Sequence, residues 1–205
     1  MSRPVIVALH GVGSSAADMA AVLAPLERVA DVIALDGCEP FDRADRGRQW
    51  FSIAGVTEAD RPRRVAEALP RVADRLQGLA GERGLALDEL VLLGFSQGAI
   101  MTLAMVAQGL HRGRAIAVAG RLASPVLPPR GPAAPVLLVH DSTDRVMPPI
   151  LSDDAAAQLG AAGHIVTAKS TTGVGHTIGR PTLSAITDWL ATSAQSPLTP
   201  ASIEG

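Results

Sequence analysis

Leu92-Leu93-Gly94-Phe95-Ser96-Gln97-Gly98-Ala99 decides how the rest of this 205-residue chain is read. Within it, Gly94, Ser96 and Gly98 give the spacing G-x-S-x-G, directly after a continuous apolar run and directly before a helical pattern. A serine in that setting sits on a sharp strand-to-helix turn with its hydroxyl raised off the sheet. Glycine is needed two positions before and two after it, because a Cβ at either site would collide with neighbouring backbone. A helix starting at Gln97 aims free N–H groups and the positive end of its dipole at the serine, where an oxyanion would form. The spacing alone is common. Its setting makes Ser96 a candidate nucleophile.

Outward from this turn, short apolar runs alternate with helical stretches. Residues 4–9, 32–35, 90–93, 115–119, 136–139 and 165–168 read as strands, β-branched or continuously apolar as strands covered on both faces must be. Residues 16–29, 62–79, 97–108, 152–160 and 182–194 read as helices. In the second of these, Val65, Leu69, Val72 and Leu76 form one apolar stripe, and the arginines and acids around them are a solvated face. The alternation predicts an α/β fold with a mainly parallel, doubly wound sheet and helices on both faces. One domain over residues 1–191 is expected, with a flexible tail over 192–205. Two stretches break the rhythm: residues 37–60, which carry Trp50 and Phe51, and residues 121–135, which hold five prolines. Long loops of this kind tend to be functional.

A serine hydroxyl is a poor nucleophile at neutral pH, so a base and an orienting acid must follow. In this architecture their order is Ser, then Asp or Glu, then His. His111 directly follows the nucleophile helix. His140 and His164 lie at a strand end and a strand start, where a structural role is expected. His176 stands in Gly173-Val174-Gly175-His176, a loop between the last strand and the last helix, and is placed to swing over the sheet's edge. It is the expected base. Asp141 and Asp144 both qualify as the acid; Asp141 abuts the strand and suits an ordinary Asx turn, so Asp144, farther into the loop, is favoured. The gap from Asp144 to His176 holds one strand–helix unit and leaves no room for a lid domain.

Oxyanion donors are expected at the N–H of Gln97 and at a loop after an early strand. Leu9-His10-Gly11-Val12-Gly13 fits, with Val12 as the donor and His10 shaping the loop. The same loop supports a rival reading. Gly11-Val12-Gly13-Ser14-Ser15-Ala16 is G-x-G-x-x-A between a strand and a helix, and Asp36 ends the next strand, near where a ribose-binding acid would lie. A dinucleotide-binding domain would use that loop, but it leaves Ser96, Asp144 and His176 as coincidences.

Composition narrows the field further. With 18 basic and 20 acidic residues the net charge is −2, which argues against a nucleic-acid surface. Cys38 is the one cysteine, so a disulfide framework is excluded and a thiolate metal site disfavoured; a reducing, cytoplasmic setting is expected. Residues 90–110 lack charge over a membrane-spanning length, but their Gly, Ser, Thr and Gln residues favour a buried strand feeding a buried helix.

The stretches LHGVG (9–13), GRQWFSIAGVTE (47–58), LLGFSQGAIM (92–101), HDSTDRVMP (140–148) and GVGHTI (173–178) together resemble the phospholipase/carboxylesterase family of small α/β-hydrolases. That family includes acyl-protein thioesterases, and the likeness is strongest to a compact bacterial esterase branch. The resemblance covers residues 4–190. It implies an α/β-hydrolase fold without a lid, and ester cleavage through an acyl-enzyme with Ser96 as nucleophile, Asp144 as acid and His176 as base. It settles Asp144 over Asp141, supports the oxyanion roles of Val12 and Gln97, and requires no metal or cofactor. The implied substrate is a small ester or an acyl group on a larger carrier, with thioesterase or lysophospholipase activity as the alternative. Neither nucleic acid nor an integral membrane contact is implied, and monomer and homodimer both stay open. Ser14, Ser52 and Asp141 depart from the family, where Asp, Asp and Gly are frequent, so substrate preference does not carry over. Trp50, Phe51 and Met147 are candidate pocket residues; Trp50 and Phe51 could equally plug the sheet edge.

Overall fold

The computed structural model describes residues 3–193. In chain order these form β1 (Val5–Leu9), α1 (Ala16–Leu23), β2 (Asp31–Leu35), β3 (Glu39–Pro40), β4 (Arg48–Gln49), α2 (Arg61–Glu82), β5 (Val91–Phe95), α3 (Gln97–Ala107), β6 (Ala115–Val118), β7 (Pro135–Asp141), α4 (Ile150–Ala161), β8 (Ile165–Thr171) and α5 (Arg180–Ser193). Six strands make one sheet in the order β2-β1-β5-β6-β7-β8, and β3 pairs with β4 in a separate hairpin. Every pairing in the large sheet is parallel, where the sequence predicts a mainly parallel one.

Side-chain alternation along the strands explains why both faces are covered. From β1, Ile6 and Ala8 pack with Met19 and Leu23 of α1 and Ile186 and Trp189 of α5. Val7 and Leu9 point the other way, into a cluster with Val65 and Leu69 of α2 and Met101 and Met105 of α3. Farther along the sheet, Ala117 and Leu138 meet Ala155 and Leu159 of α4 on that second face. Each such aliphatic side chain contributes on the order of 1.5–3 kcal/mol by leaving water. The uncharged stretch 90–110 divides between β5 and α3, and no helix among the described residues is long and apolar enough to cross a membrane.

Element boundaries differ from expectation where proline or strand pairing decides. The helix expected over 16–29 stops at Leu23 and continues as a 3-10 turn, Ala24–Arg28. Pro25 causes this, since it lacks an N–H and its ring crowds the carbonyl of the preceding turn. Strands β7 and β8 run on to Asp141 and Thr171, whose pairing extends the sheet into the site region. Helix α5 includes Thr192 and Ser193, the first two residues of the expected tail; residues 194–205, the rest of it, lie outside the described residues.

The strand order reverses direction around β1: the chain leaves β1 for β2, then crosses back to lay β5 on β1's other side. Such a switch point opens a crevice at the carboxyl ends of the two strands. Here Leu9 pairs with Gly94 at that edge. The loops following Leu9 and Phe95 are therefore neighbours, although they are far apart in the chain.

Four histidines are buried in this framework: His10, His111, His140 and His164. Burial pushes the imidazoles of His10, His111 and His164 below the ordinary value of 6.5, against smaller opposing contributions from hydrogen bonds or nearby acids at the first two. A base with a depressed folded-state pKa binds its proton more readily in the unfolded chain. Stability from these groups is therefore complete above about pH 6.5 and declines as pH falls below it, by at most ~1.4 kcal/mol per pH unit for each histidine. Urea unfolding midpoints are expected to drop between pH 7.5 and pH 5.5; a flat profile would show that these rings are not held neutral.

Candidate active site

Ser96 joins β5 to α3 at φ 52° and ψ −114°, a backbone conformation that side-chain-bearing residues rarely adopt. Its N–H is held by the Val118 carbonyl at 3.0 Å, and its carbonyl accepts from Ile100 N–H to begin the helix. The strain is held in place by the packed strand and helix on either side, a pattern common at functional sites. The flanking glycines answer to sterics. A Cβ on Gly94 would collide with the Gly98 carbonyl, and one on Gly98 with the carbonyl of Leu9 in β1.

Ser96, His176 and Asp144 come together in one hydrogen-bonded line. His176 Nε2 lies 2.9 Å from Ser96 Oγ, and its Nδ1 lies 2.7 Å from Asp144 Oδ2. A carboxylate can only accept, so Nδ1 carries the hydrogen and bare Nε2 faces the serine hydroxyl. Asp144 Oδ1 accepts N–H bonds from Val146 at 2.8 Å and Met147 at 2.9 Å. Its side chain is fully buried. Burial favours the neutral acid, but the hydrogen bonds from His176, Met147 and Val146 outweigh it and hold the carboxyl below its ordinary range. The imidazole also packs on Phe95, ring centroids 5.0 Å apart.

Asp141 occupies a different niche. Its Oδ1 accepts from the Thr143 N–H and hydroxyl, the expected Asx turn. Its Oδ2 accepts from the Thr171 hydroxyl and the Val174 N–H, both at 3.0 Å, bonds that no local pattern signals. His140 was expected to be structural. Its Nε2 lies 2.7 Å from the Met147 carbonyl and 3.3 Å from Asp144 Oδ2, so it braces the acid's turn. His111 and His164 have no contact with this line.

The loop after β1 passes close to the serine. A Cβ on Gly11 would sit 3.3 Å from Ser96 Cβ and 3.1 Å from the Phe95 ring. Among the described residues, neither the Val12 nor the Gln97 backbone N–H has a hydrogen-bond partner. His10 shapes the loop as expected: Nδ1 donates to the Gly11 carbonyl at 2.7 Å, and Nε2 accepts from Gly37 N–H at 2.8 Å.

The long connection 37–60 folds back as a strap over this loop. Gly13 N–H bonds the Arg48 carbonyl and Arg48 N–H bonds the Ser14 carbonyl, each at 2.8 Å, while Phe41 covers Gly13. Trp50 donates its indole N–H to the His10 carbonyl at 2.8 Å and its backbone N–H to the Gln97 side chain at 2.8 Å. Gln97 then donates to the Phe51 carbonyl at 2.7 Å. Trp50 is 0 % exposed and Phe51 4 %. Both pack in the core cluster with α2 and α3, as a plug of the sheet edge would, and their hydrogen bonds tie the strap to the two loops beside the serine. Met147 is half-buried against the same cluster.

The rival nucleotide-binding reading finds the N–H donors at the start of α1 taken. Asp36 Oδ1 accepts the Ala16 N–H at 2.7 Å, and Ser15 Oγ accepts the Asp18 N–H at 3.1 Å, so both cap the start of α1. A pyrophosphate would need those N–H groups, and a ribose would need that carboxylate.

Residues 1–194 match the Phospholipase/Carboxylesterase family. The chain belongs to this family. Esterase YpfH of Escherichia coli (strain K12) is 34 % identical over 196 residues, spanning 92 % of this chain and 82 % of that protein. The crystal structure of esterase PE8 aligns with a TM-score of 0.79 at 26 % identity over 93 % of each chain. A carboxylesterase from Mesorhizobium loti aligns at 0.76 and 23 % identity, over 93 % of this chain and 90 % of that one, a likeness of fold alone. The fold is thus the α/β-hydrolase fold, and the chain is a carboxylic ester hydrolase.

Proposed function

We propose that the enzyme cleaves carboxylic esters in two acyl-transfer steps on Ser96. The observation that carries this reading is the unbroken line from Ser96 Oγ through His176 to Asp144, with bonds of 2.9 and 2.7 Å. As Ser96 attacks the ester carbonyl, His176 Nε2 takes the hydroxyl proton and then delivers it to the leaving alcohol. Asp144 fixes the tautomer that leaves Nε2 bare and stabilises the imidazolium. The free Val12 and Gln97 N–H groups receive the oxyanion, each such donor being worth about 3 kcal/mol in the transition state. Water, deprotonated by His176, then attacks the acyl-serine, and the serine recovers its proton as the acid departs. Every step uses groups of the chain itself, and no metal or organic cofactor takes part. The lone cysteine fits a cytoplasmic setting for this chemistry.

An alkyl fluorophosphonate is expected to add to Ser96, read as a mass shift confined to the peptide carrying that residue. Labelling at any other serine, or none in a protein that hydrolyses esters, would remove the assignment. A screen of acyl lengths on matched oxygen esters and thioesters then identifies the substrate class. A thioester advantage at long acyl lengths would point to acyl-protein thioesterase chemistry.

A further inference from the structure

We infer that Asp141 is a second positioning carboxylate, which latches the loop carrying His176 to the turn carrying Asp144. This deepens the Ser96–His176–Asp144 reading and rests on it. His176 sits in a segment that contains two glycines at positive φ, Gly173 at 82° and Gly175 at 70°. A Cβ at either would meet no atom within 4 Å. Backbone that is both permissive and uncrowded does not hold an imidazole to a few tenths of an ångström by itself.

What ties the segment down is concentrated at the end of β7. Asp141 spends one oxygen on Thr143, in the acid's own turn, and the other on Thr171 and on Val174 N–H, two residues before His176. Ser142 adds a backbone bond to the Thr171 carbonyl at 2.8 Å and a hydroxyl contact with Thr172 at 3.1 Å, both before the glycines. Past Gly173, the Val174 N–H bond to Asp141, with the Gly175 N–H directed at the same carboxylate, ties the segment to another element before His176 itself.

A carboxylate suits this job because all its partners here are donors. The aspartate is buried at 3 % exposure, which favours the neutral acid, yet the bonds from Thr143 and Val174 outweigh that and hold it ionised. Asp144 receives one N–H from His176, whereas Asp141 receives bonds from the backbone on both sides of the gap that this N–H spans. The two carboxylates divide the work: Asp144 acts on the ring, and Asp141 acts on the loop that delivers it.

Asp141→Asn tests this, since it keeps the shape and turns one acceptor into a donor facing donors. With a p-nitrophenyl ester, kcat is expected to fall roughly 10- to 100-fold, the scale of a small misplacement of a catalytic group, with KM within twofold. The downfield proton resonance of the His176–Asp144 bond is expected to be sharp in the wild-type protein and broadened by exchange with water in the variant. Thr171→Val, which removes a single donor and leaves the carboxylate, should show the same changes at smaller size; it decides the question if the Asn protein does not fold. An unchanged kcat and an unchanged resonance, or a loss confined to KM, would overturn the latch. His176→Ala in the same assay separates the two readings. If it is inactive while Asp141→Asn turns over normally, the latch alone falls; if it retains activity, the base assignment falls and takes the latch with it.

Discussion

Ser96→Ala is expected to lower kcat/KM for a simple ester by about 10⁵- to 10⁶-fold while leaving the protein folded, the scale seen when a nucleophile acting as part of a unit is lost. The substitution removes Oγ and nothing that holds the turn. The bonds from Ser96 N–H to Val118 and from Ile100 N–H to the Ser96 carbonyl are both backbone. The positive φ is as costly for alanine as for serine, so the melting temperature should shift by no more than a few degrees. Remaining activity would come from Val12 and Gln97, which can still polarise a bound carbonyl for attack by water. That residue of catalysis gives the experiment a second use: it should vanish when an ester too bulky for the crevice is used, while the spontaneous rate does not. Ester turnover by the Ala protein within tenfold of wild type would dispose of the nucleophile assignment.

Much of this architecture is legible in the sequence because its signals are local. Gly94, Ser96 and Gly98 mark a turn in which a Gly94 Cβ would meet the carbonyl four residues on, and the strands announce themselves by continuous apolar runs. The order of Ser96, Asp144 and His176 follows from where loops emerge along one sheet edge. What the sequence does not disclose depends on contacts between distant segments. Trp50 reads equally as a pocket wall or a plug of the sheet edge, and its burial comes with a bond from its indole N–H to the His10 carbonyl. Nothing near residue 50 signals that partner. Gln97 reads as a donor through its backbone, while its side chain clamps the strap through Trp50 and Phe51. One trace was available: a long amide next to the nucleophile, in an otherwise apolar helix, must find partners when buried. Asp141 is the same case in reverse. Its Asx turn is local and readable, but the bond to Val174 appears once β7 and β8 pair as far as Asp141 and Thr171. The 3-10 turn after Leu23 is signalled by Pro25, inside the single helix expected over 16–29.

Gly98→Ala is expected to destabilise the protein by more than about 4 kcal/mol, a size reserved for a few named mechanisms. Helix propensity alone predicts the opposite sign, since Gly98 lies inside α3 and alanine is better there by about 1 kcal/mol. Sterics win because the obstacle is backbone. The added Cβ would overlap the Leu9 carbonyl and lie 2.8 Å from the His10 carbonyl oxygen. Neither can swing aside as a side chain could: β1 is bonded on both flanks, to β2 and to β5. Relief requires α3 to move off the sheet, which would open the buried cluster around Met101 and Met105. The His10 carbonyl is also the acceptor for Trp50, so the same displacement would loosen the strap and shift Val12 relative to Ser96. Gly78→Ala supplies the control. Gly78 lies on the exposed face of α2 with no atom near where a Cβ would sit, and there propensity should prevail, stabilising the protein by about 0.5–1 kcal/mol. Urea unfolding of the two proteins reads both signs at once, and fluorophosphonate labelling of any Gly98→Ala protein that folds should be slowed. A Gly98→Ala protein as stable as wild type would mean that α3 sits farther from β1 than the close approach of Gly98 to the Leu9 carbonyl allows.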